Sequence, residues 1–410
     1  MTALRKTRGG TECTGLSIQP PLKMPQVQTS LEELERIIHW QQWTLKLTGI
    51  NVHSADFKFN PQAMITIIVA GIFTAVHIID MFIFRDDVFN LTFVLITFCY
   101  CIIGWIRLLS GLKESKSISS LVTTAVATHK HVFGDQQEQN ILNRFIKLLK
   151  QAVLIYTGMF VGGCVMAGLL PLAIYLWNGE VLLPYGIILP FVDPATRLGY
   201  QINYIYQIFC ILYFPPEIAA TQNMYFVLVF NICIEYDMLM LKLNELDKLI
   251  FNNKDGRLND TIHEKLADIV RYHQRVNDFV TKFEELYSYQ LFLEISIDAL
   301  QIIITLFVLH IDFWMPGYLV IVVATFQLFL YCLLGTLIEI KTDSFSKRIY
   351  SINWYKLTKK EQKNIGFALR TSQKPRQLTY GGFTSLNVNF FLSIYKKIYS
   401  VFMMLQNMNE

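Results

Sequence analysis

Ionisable side chains inside otherwise apolar stretches are the residues of this sequence best placed to do chemistry. Glu217 follows Pro215-Pro216, Glu294 and Asp298 share one apolar run, and Lys396 and Lys397 interrupt another. His77, Asp80 and Arg107 stand near the ends of two further runs. A charge within a membrane helix is expensive and ordinarily faces water or a partner, so such groups point to ion pairing or ion passage. The Pro215-Pro216 break removes backbone donors; it is either a functional hinge beside Glu217 or a kink absorbed by neighbouring helices. Bond-making chemistry has no support. There is no nucleophile elbow, phosphate loop, metal-ligand cluster or carboxylate pair in a recognisable setting, so neither an enzyme nor a cofactor is expected. Of the seven cysteines, only Cys13 lies away from apolar runs, and Cys99 and Cys101 are too isolated for a metal site.

The elements that carry these residues are membrane helices. The chain of 410 residues is 53% hydrophobic and 17% charged, a modest excess over a soluble protein; what decides for a membrane is that the apolar residues are clumped. Seven spans are predicted, at 61–84, 88–109, 151–177, 202–234, 291–309, 316–340 and 386–406. Residues 1–60 are polar, without a cleavable signal, so the first span acts as the insertion signal. Lys and Arg then fix the orientation. Of 36 such residues, 31 fall in 1–60, 110–150, 235–284 and 341–385, while the alternate loops hold only Arg85 and Arg197. Positive charge stays in the cytoplasm, which places the N-terminus inside and the C-terminus outside. The expected fold is all-α: a seven-transmembrane helical membrane protein with a cytoplasmic N-terminus.

Leu239, Leu243, Leu246 and Ile250 recur at helical spacing among charges, and Leu266, Ile269, Val270 and Phe279 continue the pattern. The fourth and fifth helices therefore run on into the cytoplasm as amphipathic extensions. The expected organisation is a cytoplasmic segment 1–60; helices one to six over 61–340 with cytoplasmic extensions 110–150 and 235–284; a cytoplasmic anchor segment 341–385; and a last helix with an outer terminus over 386–410.

Two stretches carry a family likeness. One reads Leu189-Pro190-Phe191-Val192-Asp193 followed by Tyr200, Tyr204 and Gln207. The other holds Gly335, Ser346, Tyr350, Trp354-Tyr355, Lys374-Pro375, Gly381-Gly382, Leu386, Phe390, Tyr399-Ser400, Phe402 and Leu405. In order and approximate spacing these residues resemble insect odorant receptors. The short intracellular loop 235–284 resembles that of a tuning subunit and not that of the shared coreceptor. The resemblance implies an odorant-gated, non-selective cation channel in which tuning subunits assemble with the odorant coreceptor subunit as a heterotetramer. It also implies the plasma membrane of olfactory sensory neuron dendrites, a small volatile organic ligand, no nucleic-acid partner, and a last helix that lines the pore.

Within that frame Met404 is the candidate gate. Val401, Ser400 and Lys397 share its helix face, and Gln406 and Asn407 lie towards the outer mouth. Either Lys397 faces the cytoplasmic vestibule, where it would lower conductance or divalent permeation, or Lys396 and Lys397 pair with carboxylates such as Glu294 or Asp298, or snorkel. Tyr350, Trp354 and Tyr355 are candidate subunit anchors, with burial inside one subunit as the alternative. Depth alone selects ligand candidates in the outer halves of helices two, three, four and six: Phe89, Phe93, Ile96, Met166, Leu170, Ile208, Ile211, Thr325 and Phe326, each equally able to serve helix packing. Tyr200, Tyr204 and Gln207 are expected to organise the external loop. Three other functions compete: a gustatory-receptor-like homomeric channel, a secondary transporter kept open by Glu294 and Asp298, and a G-protein-coupled receptor, which the charge bias opposes.

Overall fold

Asn60 opens the first membrane helix: its Oδ1 accepts from Ala63 N at 2.7 Å, and Pro61 supplies a first position that needs no donor. In this computed structural model residues 25–50, 60–131, 135–179, 182–253, 255–311, 314–374 and 376–409 are described. Residues 1–24 and 51–59 of the expected N-terminal segment, with Cys13 and Pro375, lie outside the described residues. The helices are α1 (Pro25–Leu47), α2 (Pro61–Ile83), α3 (Val88–Lys113), α4 (Ser115–His131), α5 (Gln136–Asn178), α6 (Arg197–Asn252), α7 (Asn259–Ile311), α8 (Met315–Ser351), α9 (Lys359–Ser372) and α10 (Val388–Asn409). Asp87, Asp135 and Thr196 cap α3, α5 and α6, and Gly179, at φ 76°, closes α5.

Among the described residues seven helices are long and apolar enough to cross a membrane: α2, α3, α5, α6, α7, α8 and α10. They answer the seven spans. At 1.5 Å per residue a helix as long as α6 reaches ~84 Å, against a hydrocarbon core of ~30 Å. Most of α6 therefore projects beyond the membrane, and α5, α7 and α8 are likewise overlong. The helix α6 runs unbroken through Pro215 and Pro216. Its central position explains this: 83% of its apolar stretch is buried, against 6% for α10. It packs on α5, α7, α8 and α1.

The projecting halves build one cytoplasmic core. Leu239, Leu243, Leu246 and Ile250 of α6 join Leu266 and Phe279 of α7 and Phe345 and Ile349 of α8 in a single apolar cluster. Parallel α6 and α8 are held in register by polar pairs on its rim. Lys341 Nζ donates to Asp237 Oδ1 at 2.6 Å, and seven residues on, two helical turns, Arg348 Nε donates to Asn244 Oδ1 at 2.6 Å. Asp247 then accepts from Asn353 N at 2.8 Å, fixing the turn that leads to α9.

A short antiparallel hairpin, β1 (Thr379–Tyr380) with β2 (Thr384–Ser385), returns the chain to the membrane, pairing Thr379 with Ser385. Gly381 and Gly382, at φ 59° and 80°, make its turn. Behind it, a Cβ on Gly335 would stand 1.9 Å from the Leu386 carbonyl oxygen, so only glycine lets the chain entering α10 cross α8 this closely.

Candidate ligand cavity

A cavity of about 200 Å³ lies between α2, α3, α5, α6 and α8. Its wall is aromatic and aliphatic, with Phe73, Tyr100, Trp105, Phe160, Tyr185 and Phe214 as the large side chains and Glu217 as the one carboxylic acid. Such a lining holds a small molecule by shape and dispersion. A groove of about 700 Å³ runs between α1, α5 and α6, and it shares Phe160, Cys164, Ile211 and Pro215 with the cavity.

Tyr185 belongs to the loop between α5 and α6, which polar side chains from the helices below hold in place. Gln207 Oε1 accepts from Tyr185 N and its Nε2 donates to Ile187 O, both at 2.7 Å. Asp80 Oδ2 accepts from Ile188 N, and Asn203 Oδ1 from Leu189 N, again at 2.7 Å. These bonds satisfy backbone groups that have no strand or helix partner. Gln207 thus touches the loop as expected. Tyr204 reaches elsewhere, donating to Gly168 O of α5 at 2.7 Å, and Tyr200 makes a long hydrogen bond, 3.5 Å, to Leu182 O of the loop while its ring stacks on Tyr175 and Tyr204. Asp80 and Asn203 were not assigned to the loop from sequence; the i, i+4 polar pair Asn203/Gln207 on one helix face was the available signal.

On the cytoplasmic side of the cavity Arg107 enters a closed polar cluster. Its Nε and Nη2 donate to Glu294 Oε1 and Oε2 at 3.0 and 2.8 Å, and Nη1 donates to Ile218 O at 2.6 Å. Gln222 and Tyr331 complete it; Tyr331 donates to Glu294 Oε2 at 2.5 Å. Four helices, α3, α6, α7 and α8, are tied at this point. Glu294 is therefore committed to Arg107, and among the described residues neither Lys396 nor Lys397 makes an ion pair.

The sequence candidates fall in several places. Ile211 lines the cavity, and Ile208 lines the neighbouring groove. Phe89, Phe93 and Ile96 pack with Val308 and Trp314 in a separate apolar cluster. Met166 is half exposed on the outer face of α5, and Leu170 is partly buried. Thr325 hydrogen-bonds Tyr395 of α10, and Phe326 packs on the main core. Helices two, three, four and six do meet at the cavity, but mainly through other faces, as Tyr100, Gly104 and Trp105 on α3 illustrate.

On α10, Lys397, Ser400, Val401, Met404 and Asn407 are exposed and Gln406 is half-buried, whereas Ile398 faces the bundle. Tyr350 and Tyr355 are exposed; Trp354 is partly buried against the cytoplasmic core, and its Nε1 donates to Tyr350 O at 3.2 Å.

Seven membrane-length apolar helices, five of which wall a mostly apolar cavity, define a multi-pass membrane protein with room for a small molecule. The profile of the family described as 7tm Odorant receptor matches residues 87–399, and the chain belongs to that family. Its relatives include putative odorant receptor 83c of Drosophila melanogaster, 27% identical over 67% of this chain and 71% of the relative, and odorant receptor 30a of the same species, 24% identical over 66% and 71%. The fold is similar to that of the insect olfactory receptor OR5 from Machilis hrabei in complex with eugenol, with a TM-score of 0.79 and 15% identity over 93% of this chain and 100% of that one.

Proposed function

We propose that this chain is the odorant-binding subunit of a heterotetrameric, ligand-gated, non-selective cation channel that assembles with the odorant coreceptor in the dendrite membrane of olfactory sensory neurons. The observation that carries this reading is the contrast between two parts of the bundle. The 200 Å³ cavity is partly enclosed and lined almost wholly by apolar groups, which suits a small volatile molecule. The α10 helix is covered on one side only and presents Lys397, Ser400, Val401 and Met404 outward. A membrane helix with a mixed polar and apolar face is suited to water and ions, and a ring of Met404 side chains around an axis gates by dewetting.

Coupling between the parts has a physical route. Leu319, Val320 and Val323 of α8 line the cavity, and Thr325, half a turn on, hydrogen-bonds Tyr395 of α10. A ligand that shifts α8 thereby shifts the helix assigned to the pore. Tyr350, Trp354 and Tyr355 supply the proposed contacts between neighbouring subunits.

The test is whole-cell current from cells expressing this chain with and without an insect coreceptor, challenged with a volatile panel. A fast, reversible cation current that requires both chains supports the heteromer. Current from this chain alone replaces it with a homomeric channel. Surface-expressed heteromers that pass coreceptor-agonist current yet answer no volatile overturn the odorant-binding role.

A further inference from the structure

Polar clamps close the cavity above and below. Towards the outside, Gln207, Asp80 and Asn203 bond the backbone of the loop that carries Tyr185. Towards the cytoplasm stands the Arg107–Glu294 cluster. The flank between α5 and α6 is different. Phe160 and Cys164, one turn apart on α5, and Ile211 and Pro215, one turn apart on α6, line both the cavity and the neighbouring groove. The same side chains bound both spaces, so the partition is one layer of side chains thick.

Hydrogen bonds pin this seam only at its ends. At the outer end Tyr204 donates to Gly168 O at 2.7 Å, and the Ile208 side chain lies 3.1 Å from where a Gly168 Cβ would stand. At the inner end Asn223 Nδ2 donates to Thr157 Oγ1 at 3.0 Å. Between these pins, ~16 Å along α5 at 1.5 Å per residue, no hydrogen bond joins the two helices among the described residues.

Both helices are weakened within this window. Pro215 and Pro216 have no N–H, which leaves the carbonyls of Ile211 and Leu212 without their i+4 donors. The α5 helix carries Gly158, Gly162 and Gly163. Glycine in a membrane helix ordinarily admits a close neighbour, yet among the described residues no neighbour lies within 4 Å of a Cβ built at any of the three. What glycine contributes here is a backbone that bends at lower cost. Only 11% of the apolar stretch of α5 is buried, against 83% for α6, so α5 is the wall free to move.

Resting on the reading of the cavity as the ligand site and of α10 as the pore helix, we propose that this seam is a lateral portal, through which small lipophilic ligands pass between the bilayer and the cavity by way of the groove. The α10 helix packs on α7 and α8, whereas α1, α5 and α6 wall the groove. With α10 on the central axis, the groove opens on the perimeter of the assembly, where the exposed Val161, Val165, Leu169 and Leu212 meet lipid. A molecule that leaves water for hydrocarbon is concentrated there, and it crosses the seam without exchanging hydrogen bonds.

The test is stopped-flow binding to the full-length chain in lipid nanodiscs, with iodobenzene and 4-bromoanisole as probes. Their heavy atoms quench an indole they touch; Trp105 in the cavity wall is the reporter, and Trp105→Phe gives the background. Three variants alter the seam away from the cavity wall. Tyr204→Phe unpins the outer end and is expected to raise association and dissociation rates alike, about fivefold, the size of one net hydrogen bond. Val165→Trp obstructs the groove, and Gly158→Ala with Gly162→Ala stiffens α5; each is expected to lower both rates about fivefold. Kd stays within about twofold throughout, because none of these side chains touches the bound probe. The variants act in opposite directions, so a folding defect cannot imitate the set. Unchanged rates in all three, or altered affinity without parallel changes in both rates, would overturn the proposal. So would Asn203→Leu, which loosens the external loop, if it raised both rates where the seam variants moved neither: entry would then run through the outer face. Probes that never quench Trp105 would sink the cavity as the ligand site, and the portal with it. Seam-dependent rates without ligand-evoked current would sink the channel reading alone.

Discussion

Arg107 and Glu294, 187 positions apart in sequence, meet side-on inside the bundle in a two-point pair, Nε to Oε1 at 3.0 Å and Nη2 to Oε2 at 2.8 Å, with almost no solvent access to either. Removing one partner of such a pair leaves an uncompensated buried charge, which destabilises by about 3–5 kcal/mol. Arg107→Ala and Glu294→Leu are therefore expected to abolish surface expression. Lysine does not rescue, because a single ammonium cannot make the fork or reach Ile218 O as well. Thermal unfolding in detergent checks this: Arg107→Lys within about 1 kcal/mol of the unmodified protein would show that the cluster is ornamental.

Gly335→Ala tests the crossing of α8 by the chain entering α10. The added methyl would sit 1.9 Å from Leu386 O, a clash only backbone movement relieves. The hairpin and the start of α10 must shift, so the expected result is a loss of stability in the range for overpacking, about 1–3 kcal/mol, with altered channel opening. An alanine variant with unchanged melting temperature and unchanged currents would mean that the crossing yields freely.

His129 on α4 gives a pH dependence with a definite sign. Its Nδ1 donates to Ala125 O at 3.0 Å, and Nε2 is buried without a partner among the described residues. Burial lowers the pKa of the imidazole below its ordinary value, outweighing the backbone bond that raises it. Below pH 6.5, the ordinary value, the unfolded chain binds a proton here that the folded chain refuses. Stability contributed by the neutral ring is thus present at higher pH and lost as pH falls. His129→Gln, neutral throughout, is expected to lose less melting temperature than the unmodified chain between about pH 7.5 and 5.5. Identical losses would show that this ring is not a titrating group in that window.

The spans and their orientation were legible because they depend on local runs of apolar residues and on where lysine and arginine are excluded, both one-dimensional properties. The cytoplasmic core was legible for the same reason: Leu239, Leu243, Leu246 and Ile250 announce a helix face. The cavity was legible only as a depth. Which face of a membrane helix turns inward is hidden when lipid and protein favour the same residues. Phe93 and Trp105 thus read alike, though one packs on Trp314 and the other lines the cavity. The Arg107 cluster was hidden by distance along the chain, and Gly335 by the absence of any signal for what crosses it.

The bond from Thr325 to Tyr395 is the polar contact closest to the cavity that joins α8 to α10, with Phe329 and Phe391 stacking edge to face beside it at 5.4 Å. Tyr395→Phe keeps the ring and removes the hydroxyl, a change of about 1 kcal/mol. If ligand binding reaches the pore through α8, the half-maximal odorant concentration should move about fivefold, with surface expression unchanged. An unmoved dose–response curve would exclude this contact from the coupling route.

Lys397 tests the pore assignment itself. It is exposed on the same face of α10 as Ser400 and Met404 and makes no ion pair among the described residues. At about 8 Å from a passing monovalent ion in a wet vestibule, one ammonium repels by roughly 0.5 kcal/mol, and a divalent ion feels twice that. Lys397→Ala is accordingly expected to raise single-channel conductance about twofold and calcium permeability more, with both gains shrinking as ionic strength rises. Lys396→Ala, turned about 100° round the helix, should change neither. Equal effects from the two lysines would point to a general surface charge. No effect from Lys397 would turn this face of α10 away from the ion path and take Met404, which shares it, out of the gate.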